Sequence, residues 1–388
     1  MKYFLILSFS LNLFLLKYLL FKKVKKEILN PIKILPREEA LDSGLPFVKN
    51  CLDGILMKKI DIKEKILNPK ISVVIPCYNC KKYIKSALRS VQNQNMTDIE
   101  IIIQNDDSNN ETVNLLNELL KEDPRIEIYN NDKNMNLFYT RSVGVLKARG
   151  KYLITLDADD LFLDADVFDT VYMAAEDGNF DIIAFRVFMA SNNNLNRARI
   201  RDNGFNYKEH NLKIFQPELS CYMLSGKGND LNIWGKLYRT YIYKSAVNVL
   251  GKERISHPLV WEEDACMLLT IMNLASSYKF IKKYGLFYRG HADSFSNVLD
   301  ENTKIYSTLI RLDIELDFAK KECSNYPALQ LINGKNHFNK ANDDKSKFYL
   351  KKVIRKVLYS DKIDSKNKEE IKNAYSNYLP NGSYVNES

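Results

Sequence analysis

An α/β fold built on a mostly parallel sheet is what this sequence predicts, and three observations carry that expectation. Short β-rich apolar runs alternate with stretches of helical periodicity from residue 71 to residue 187. The run 152–156 ends directly in three carboxylates, Asp157, Asp159 and Asp160, as a buried strand does where it meets a site. Polar segments follow two other predicted strands as well, Pro76-Cys77-Tyr78-Asn79 and Asn105-Asp106-Asp107-Ser108. Parallel strands joined by right-handed crossovers bring such segments to one edge of the sheet.

The elements follow in order. A strand at 71–75 is ended by Pro76, and 81–94 reads as a helix with Ile84, Leu88 and Val91 on one face. A second strand at 99–103 leads through a polar turn to an amphipathic helix at 111–121. A third strand, 126–129, is followed by a helix at 137–149 that feeds the central strand at 152. Beyond the carboxylates come a helix at 165–176 and a strand at 181–187. Residues 190–232 are polar and Asn-rich, and carry no assignable pattern. Helices are expected at 234–249 and 263–276, and a strand at 287–289. From Glu301 onward, Ile305, Leu309, Leu312 and Leu316 recur at helical spacing, which suits core packing or a basic amphipathic helix lying on a membrane.

A chain of 388 residues with 45% hydrophobic and 27% charged side chains is globular, not disordered, and holds one large or two ordinary domains. The formal charge of +9 suits anionic ligands or an anionic membrane surface. Nucleic acid is not expected as a partner, because the basic residues are scattered and no nucleic-acid module is recognisable. Six cysteines are too few for a disulfide scaffold of this size, and Cys77-x-x-Cys80 lacks a second pair, so its spacing reads as coincidence.

Residues 3–21 are almost continuously apolar and nearly reach the length that spans a hydrocarbon core. A single-pass anchor over residues 1–22 is the expectation, ahead of a signal peptide or a surface-lying helix, since no small-residue cleavage site follows. Lys22, Lys23, Lys25 and Lys26 outweigh Lys2, which by the positive-inside rule retains the bulk of the chain in the cytosol. A lumenal enzyme of the ER or Golgi would need the opposite orientation, so the face of the membrane is left open. Residues 23–70, with Pro31, Pro36 and Pro46, read as a stem, and 299–388 as a C-terminal helical region.

Clustered carboxylates at a strand end repel one another and persist where a cation, a donor-rich ligand or a helix start compensates them. A hard divalent ion such as Mg²⁺ or Mn²⁺ suits all-oxygen ligands, while an Asp capping the helix near Asp164 would need no ion. A fourth acidic segment, Glu262-Glu263-Asp264, either supplies chemistry or simply favours a helix N-terminus. No GxxxxGK[ST] loop is present, which argues against a P-loop ATPase or kinase.

The segments ISVVIPCYN, IEIIIQNDDSNNET, NMNLFYTRSVG leading into KARGKYLITLDADD, then IWGKLYRTYIY and WEEDACML, resemble family 2 glycosyltransferases of GT-A fold, with order and spacing matching over most of residues 71–295. The resemblance implies a Rossmann-like nucleotide-sugar-binding half at 71–187 and an acceptor half at 188–298. It places Pro76, Tyr78 and Asn79 near the donor base and Asn105-Asp106 at the uracil-reading position, where an amide replaces the first acid. Asp107 stands where the family often has Gly. Asp157 and Asp159 match the D-x-D motif that holds the ribose and the metal. Arg141 matches a basic position before that strand, with Asn136 and Ser142 replacing its usual Gly and Asn neighbours. Asp264 matches the catalytic base, with Glu263 as fallback. Lys236 and Arg289 match cations facing the diphosphate or acceptor, and His291 could complete a Mn²⁺ or Mg²⁺ shell.

The activity implied is metal-dependent, inverting transfer from a nucleotide-diphosphate sugar, a UDP-sugar above others, to a hydroxyl of an unknown glycan, protein or lipid. A nucleotide- or glycan-binding module without turnover is the alternative. A nucleotidyltransferase is disfavoured, because Pro76-Cys77-Tyr78-Asn79 fills the place of its Gly-rich loop.

Overall fold

All seven residues of strand β1 (Ile71–Cys77) and all seven of β2 (Ile99–Asn105) are buried, because each strand lies between two helical layers and neither face meets water. The computed structural model describes residues 45–57, 64–191, 194–201, 213–216, 218–219, 221, 231–259, 262–290, 300–318, 325–341 and 343–379. The first half of the fold continues with α1 (Leu45–Leu52) ahead of β1, then α2 (Ile84–Gln92), α3 (Asn110–Glu122), β3 (Ile126–Asn130), α4 (Asn136–Lys147) and β4 (Tyr152–Thr155). After it come β5 (Leu161–Phe162), α5 (Val167–Glu176), β6 (Ile182–Ser191), β7 (Asn194–Arg201) and β8 (Lys213–Phe215). Next are β9 (Lys236–Arg239), α6 (Thr240–Ile255), α7 (Glu263–Leu274) and β10 (Ser277–Gly290). The C-terminal helices are α8 (Glu301–Phe318), α9 (Asn325–Asn333), α10 (Lys335–Phe338), α11 (Asp344–Tyr359) and α12 (Ser365–Ala374).

Alternation of side chains along each strand decides which layer a residue meets. Val73 and Ile75 join the core cluster of α2, α3 and α5, whereas Val74 joins that of α4, α6 and α7. Among the described residues ten strands form one sheet, in the order β3-β2-β1-β4-β9-β6-β10-β5, with β7 on β6 and β8 on β10. From β3 to β4 every pairing is parallel, as the alternating pattern predicts. Beyond β4 the sheet is mixed, which corrects the expectation of a mostly parallel one. β9 runs antiparallel to both β4 and β6, and β10 is parallel to β6 but antiparallel to β5 and β8.

Residues 234–249 are therefore not one helix. Lys236–Arg239 is a strand that passes directly into α6 at Thr240, and the apolar spacing of Ile242, Tyr243, Ala246 and Val247 begins only there. Likewise β10 spans 14 residues, not the three expected at 287–289. Within the stretch read as a stem, α1 buries Val48 and Cys51 against Leu161, Leu163, Phe188 and Phe287. Asn93 ties the chain beyond it down, donating to the Ile55 carbonyl at 3.1 Å and accepting from Met57 N at 2.9 Å.

The stripe on α8 is core. Ile305, Leu309 and Leu312 pack with α9, α11 and α12, while Ile310 and Ile314 on the other side join the cluster of α7. Among the described residues no helix is long and apolar enough to cross a membrane, and the apolar segment 3–21 lies outside them.

Gly150 sets the entry to β4. Its N–H donates to Ser72 Oγ at 2.8 Å and to Glu100 Oε1 at 3.2 Å, and an added Cβ would lie 2.6 Å from Ser72 N. Gly150→Ala should destabilise the fold by about 1–3 kcal/mol through overpacking against backbone, read as a lower urea midpoint at unchanged slope.

Candidate active site

Because β2, β1 and β4 are parallel neighbours, their carboxyl ends open on one edge of the sheet. β1 outruns its partner there: its pairing with β4 ends at Val74↔Thr155. The Val74 carbonyl accepts from Leu156 N, and Cys77, three residues on, accepts from Asp106 N on the β2 side. Pro76 therefore turns its N toward β4 past the last pairing, where the missing N–H interrupts no ladder. Cys77 and Cys80 are joined by a disulfide, so their spacing is not coincidental. The bridge closes a short loop around Tyr78 and Asn79, leaving the Tyr78 side chain half exposed beside the edge.

Asn79 takes a left-handed backbone with φ 49°, which Asn tolerates. Its N–H donates to Ser108 Oγ and its Oδ1 accepts from Asn109 N, both at 2.9 Å, locking the loop after β1 to the loop after β2. Asn105 uses both ends of its amide internally, donating to Asn130 Oδ1 at 2.9 Å and accepting from Ser108 N at 3.3 Å. A carboxylate could not donate the first of these bonds, which gives the replaced acid a structural reason. Asp106, almost fully buried, accepts at Oδ1 from Asn131 Nδ2 at 2.7 Å and from Met135 N at 2.8 Å. Asp107 and Asn136, at positions where the resemblance expects Gly, are both left-handed, with φ of 57° and 69°. The backbone that glycine would supply is thus kept by residues that tolerate it.

Arg141, on α4 and 3% exposed, is the hub of the site. Its Nη2 donates to Asp157 Oδ1 at 2.8 Å and its Nη1 to Asp264 Oδ1 at 2.9 Å, while Glu263 Oε1 lies 3.7 Å from Nη1. Arg141 and Asp264 are 123 positions apart in the chain. Burial alone would lower the guanidinium pKa, but the charges of Asp157, Asp264 and Glu263 outweigh it and hold the pKa well above its usual value. Burial, with the adjacent Asp264 charge, pushes the Glu263 carboxyl up to about 8 against the pull of Arg141. Asp264 is also raised, by burial first, with Arg141 opposing and Asp157 adding to the shift.

Asp157 and Asp159 are half-buried at the end of β4, and Asp160 behind them is buried. Asp160 Oδ1 accepts from Arg289 N at 3.0 Å, its Oδ2 has no partner among the described residues, and burial with the charges of Asp159 and Asp157 raises its pKa far above normal. Among the described residues no group of three His, Cys, Asp or Glu side chains could hold a metal by itself, and His291 lies outside them.

Two cations matched by the resemblance to positions facing the diphosphate or acceptor are buried and held by protein groups. Lys236 is 1% exposed and its Nζ donates to the carbonyls of Asn232 at 2.6 Å and Trp234 at 3.5 Å, bracing the turn into β9. Arg289 is buried beneath the acids, its Nη2 on Ser86 Oγ at 2.9 Å and its guanidinium 5.0 Å from the Tyr83 ring centre. Both are tied to protein groups because a buried cation must be. Sequence reasoning missed Tyr243, fully buried on α6, whose phenol feels the charges of Arg141, Asp264 and Asp157. It sits in an ordinary apolar spacing, which gave no signal.

A family model described as glycosyl transferase family 2 matches residues 72–228. The chain is 29% identical over 184 residues to the chondroitin synthase of Escherichia coli, covering 45% of this chain and 26% of that protein. It is 25% identical over 243 residues to the glycosyltransferase GlyA of Streptococcus pneumoniae, covering 61% of this chain and 33% of that protein. The chain thus spans only about a quarter to a third of the length of these relatives. The crystal structure of residues 1–349 of S. aureus TarS in complex with UDP superposes with a TM-score of 0.57 at 16% identity, covering 79% of this chain and 87% of that one. That likeness is one of fold, an α/β GT-A-like sheet flanked by helices. Over residues 72–228, this chain is similar to glycosyl transferase family 2.

Proposed function

We propose that this protein transfers a sugar, with inversion, from a nucleotide-diphosphate donor to an acceptor hydroxyl, that the donor is a UDP-sugar, and that transfer requires a divalent ion. The observation that carries the reading is the Arg141 bridge, which draws the D-x-D end of β4 and the Glu263–Asp264 pair into one cluster at the carboxyl edge of the sheet. UDP and UDP-GlcNAc are bound by TarS in structures of like fold, which supports the donor class.

The donor set fits a hard cation. Mg²⁺ and Mn²⁺ suit carboxylate oxygen and are commonly held by one or two carboxylates together with substrate phosphates, so no three-ligand protein cage is needed. Asp159 and Asp157 would hold the ion, and it would supply charge stabilisation for the departing diphosphate. The chain's own residues do the rest. Tyr78 and the pinned loops after β1 and β2 form the shelf for the base and ribose. Asp264 takes the acceptor proton, and its burial raises its basicity while Arg141 keeps it from being neutralised outright. Arg141 also fixes the distance between donor side and acceptor side. An anchor at residues 3–21 would tether the protein to a membrane, so that a lipid-linked acceptor competes with a glycan or a protein for this role.

Asp159→Asn should lower turnover by about 10²-fold, the scale of one lost charge-stabilising contact in a transition state. Activity on a panel of UDP-sugars should vanish with EDTA and return with Mn²⁺. Near-normal turnover in the variant would overturn the metal assignment. UDP binding without release of sugar from any donor would favour the binding-module alternative.

A further inference from the structure

Residue Glu262, immediately ahead of the acid pair, holds a left-handed backbone with φ 62°. A non-glycine residue stays there only when its surroundings enforce it. The enforcement comes from a distant helix. Arg311 on α8 donates through Nε to Glu262 Oε2 at 2.5 Å, and Thr308 one turn earlier donates to Oε1 at 3.3 Å. Arg311 is itself fully committed, with Nη1 on Glu315 and Nη2 on Gln330 Oε1 at 2.8 Å, and Gln330 Nε2 returns to Glu315 at 3.2 Å. Both Arg311 and Glu315 are buried.

The geometry of 262 decides where the next two side chains go. Its carbonyl accepts the first bond of α7, from Cys266 N at 3.0 Å, so its backbone sets the direction in which the helix starts. Glu263 and Asp264 form that first turn and reach back to Arg141. Relaxing residue 262 to a right-handed conformation would swing the turn, and both carboxylates would leave the Arg141 bridge. From this we infer that Arg311 is a positioning residue: through Glu262 it holds the left-handed turn that aims Glu263 and Asp264 into the site. The clamp lies outside the family-matched segment 72–228, so the C-terminal helices help to build the acid end of the site. This inference rests on the glycosyltransferase reading for its kinetic consequence, though not for the backbone clamp itself.

Glycine adopts the left-handed region freely and alanine does not, so a pair of substitutions at one position isolates the turn from the carboxylate. In the full chain, Glu262→Ala should lower kcat by about tenfold, the population cost that left-handed strain on an L-residue implies. Glu262→Gly should retain several times more turnover than Glu262→Ala, with the Kd for UDP unchanged in both. Arg311→Met should lose kcat as Glu262→Ala does, and adding Glu262→Gly should restore part of it. Arg311→Lys should fall between, since an ammonium cannot keep all three contacts. Equal losses in the alanine and glycine variants, or a fall in UDP affinity that tracks kcat, would overturn the inference. If the wild type moves no sugar at all, the glycosyltransferase reading fails instead. The clamp is then judged by melting: Glu262→Gly above Glu262→Ala supports it, and the reverse order sinks it.

Discussion

Asp264→Asn is expected to lower turnover by about 10³–10⁴-fold, the upper range for removing a general base. The substitution is close to isosteric, and its amide oxygen can still accept from Arg141 Nη1, a contact of 2.9 Å in the native site. Geometry is kept while the proton acceptor is lost, so the Kd for UDP should stay within about twofold, as for a group that acts only in the transition state. Glu263→Gln is the control, because Glu263 lies 3.7 Å from Arg141 and makes the looser contact. A collapse in Glu263→Gln with Asp264→Asn near normal would exchange their roles, and near-normal rates in both would remove the acid pair from the mechanism.

The same pair gives a pH dependence of defined sign. Burial and the Asp264 charge push the Glu263 carboxyl from 4.5 to about 8, and two adjacent carboxyls titrate as a unit. Between those values the folded chain keeps a proton that the unfolded chain has released, so stability falls as pH rises through the window. Turnover should move the other way. The base must be ionised, so kcat rises with pH along a limb that burial displaces above the ordinary Asp range.

The first four strands and the helices between them were legible because β1, β2 and β4 are buried on both faces and read as continuous apolar runs, while the helices between them carry apolar residues at helical spacing. Past β4 that code weakens. β9 is four residues long, runs straight into α6 without a turn residue, and pairs antiparallel on both sides, so Lys236–Arg239 looked like the start of a helix. Acids at strand and helix ends were legible as motifs, since clustered carboxylates need a reason to be there. Their partners were legible only in part. Arg141 was found through its place ahead of β4, but the carbonyls that hold Lys236 and the hydroxyl that holds Arg289 leave no mark in the sequence. Arg311 gave no signal, because a cation on a helix carries no mark of the residue 49 positions away that it holds.

Arg141→Met should be the most damaging single change, since it removes the guanidinium that pairs with both Asp157 and Asp264. A buried ion pair broken on one side leaves its partner charge uncompensated, at about 3–5 kcal/mol of stability. The carboxyls can relieve this by taking protons, so the loss should be largest at pH 8 and smaller at pH 5, which separates it from a simple cavity. Relief by protonation neutralises the base, so turnover should disappear even where the variant is folded. Arg141→Lys keeps the charge but cannot reach Asp157 and Asp264 together, because only a guanidinium presents two donors in a fixed fork. It should therefore recover stability more than activity. Urea unfolding at pH 5 and pH 8, with turnover measured beside it, reads all three quantities. An Arg141→Met chain as stable as the wild type at pH 8 would show that the acids do not depend on Arg141, and the bridge would lose its place at the centre of the site.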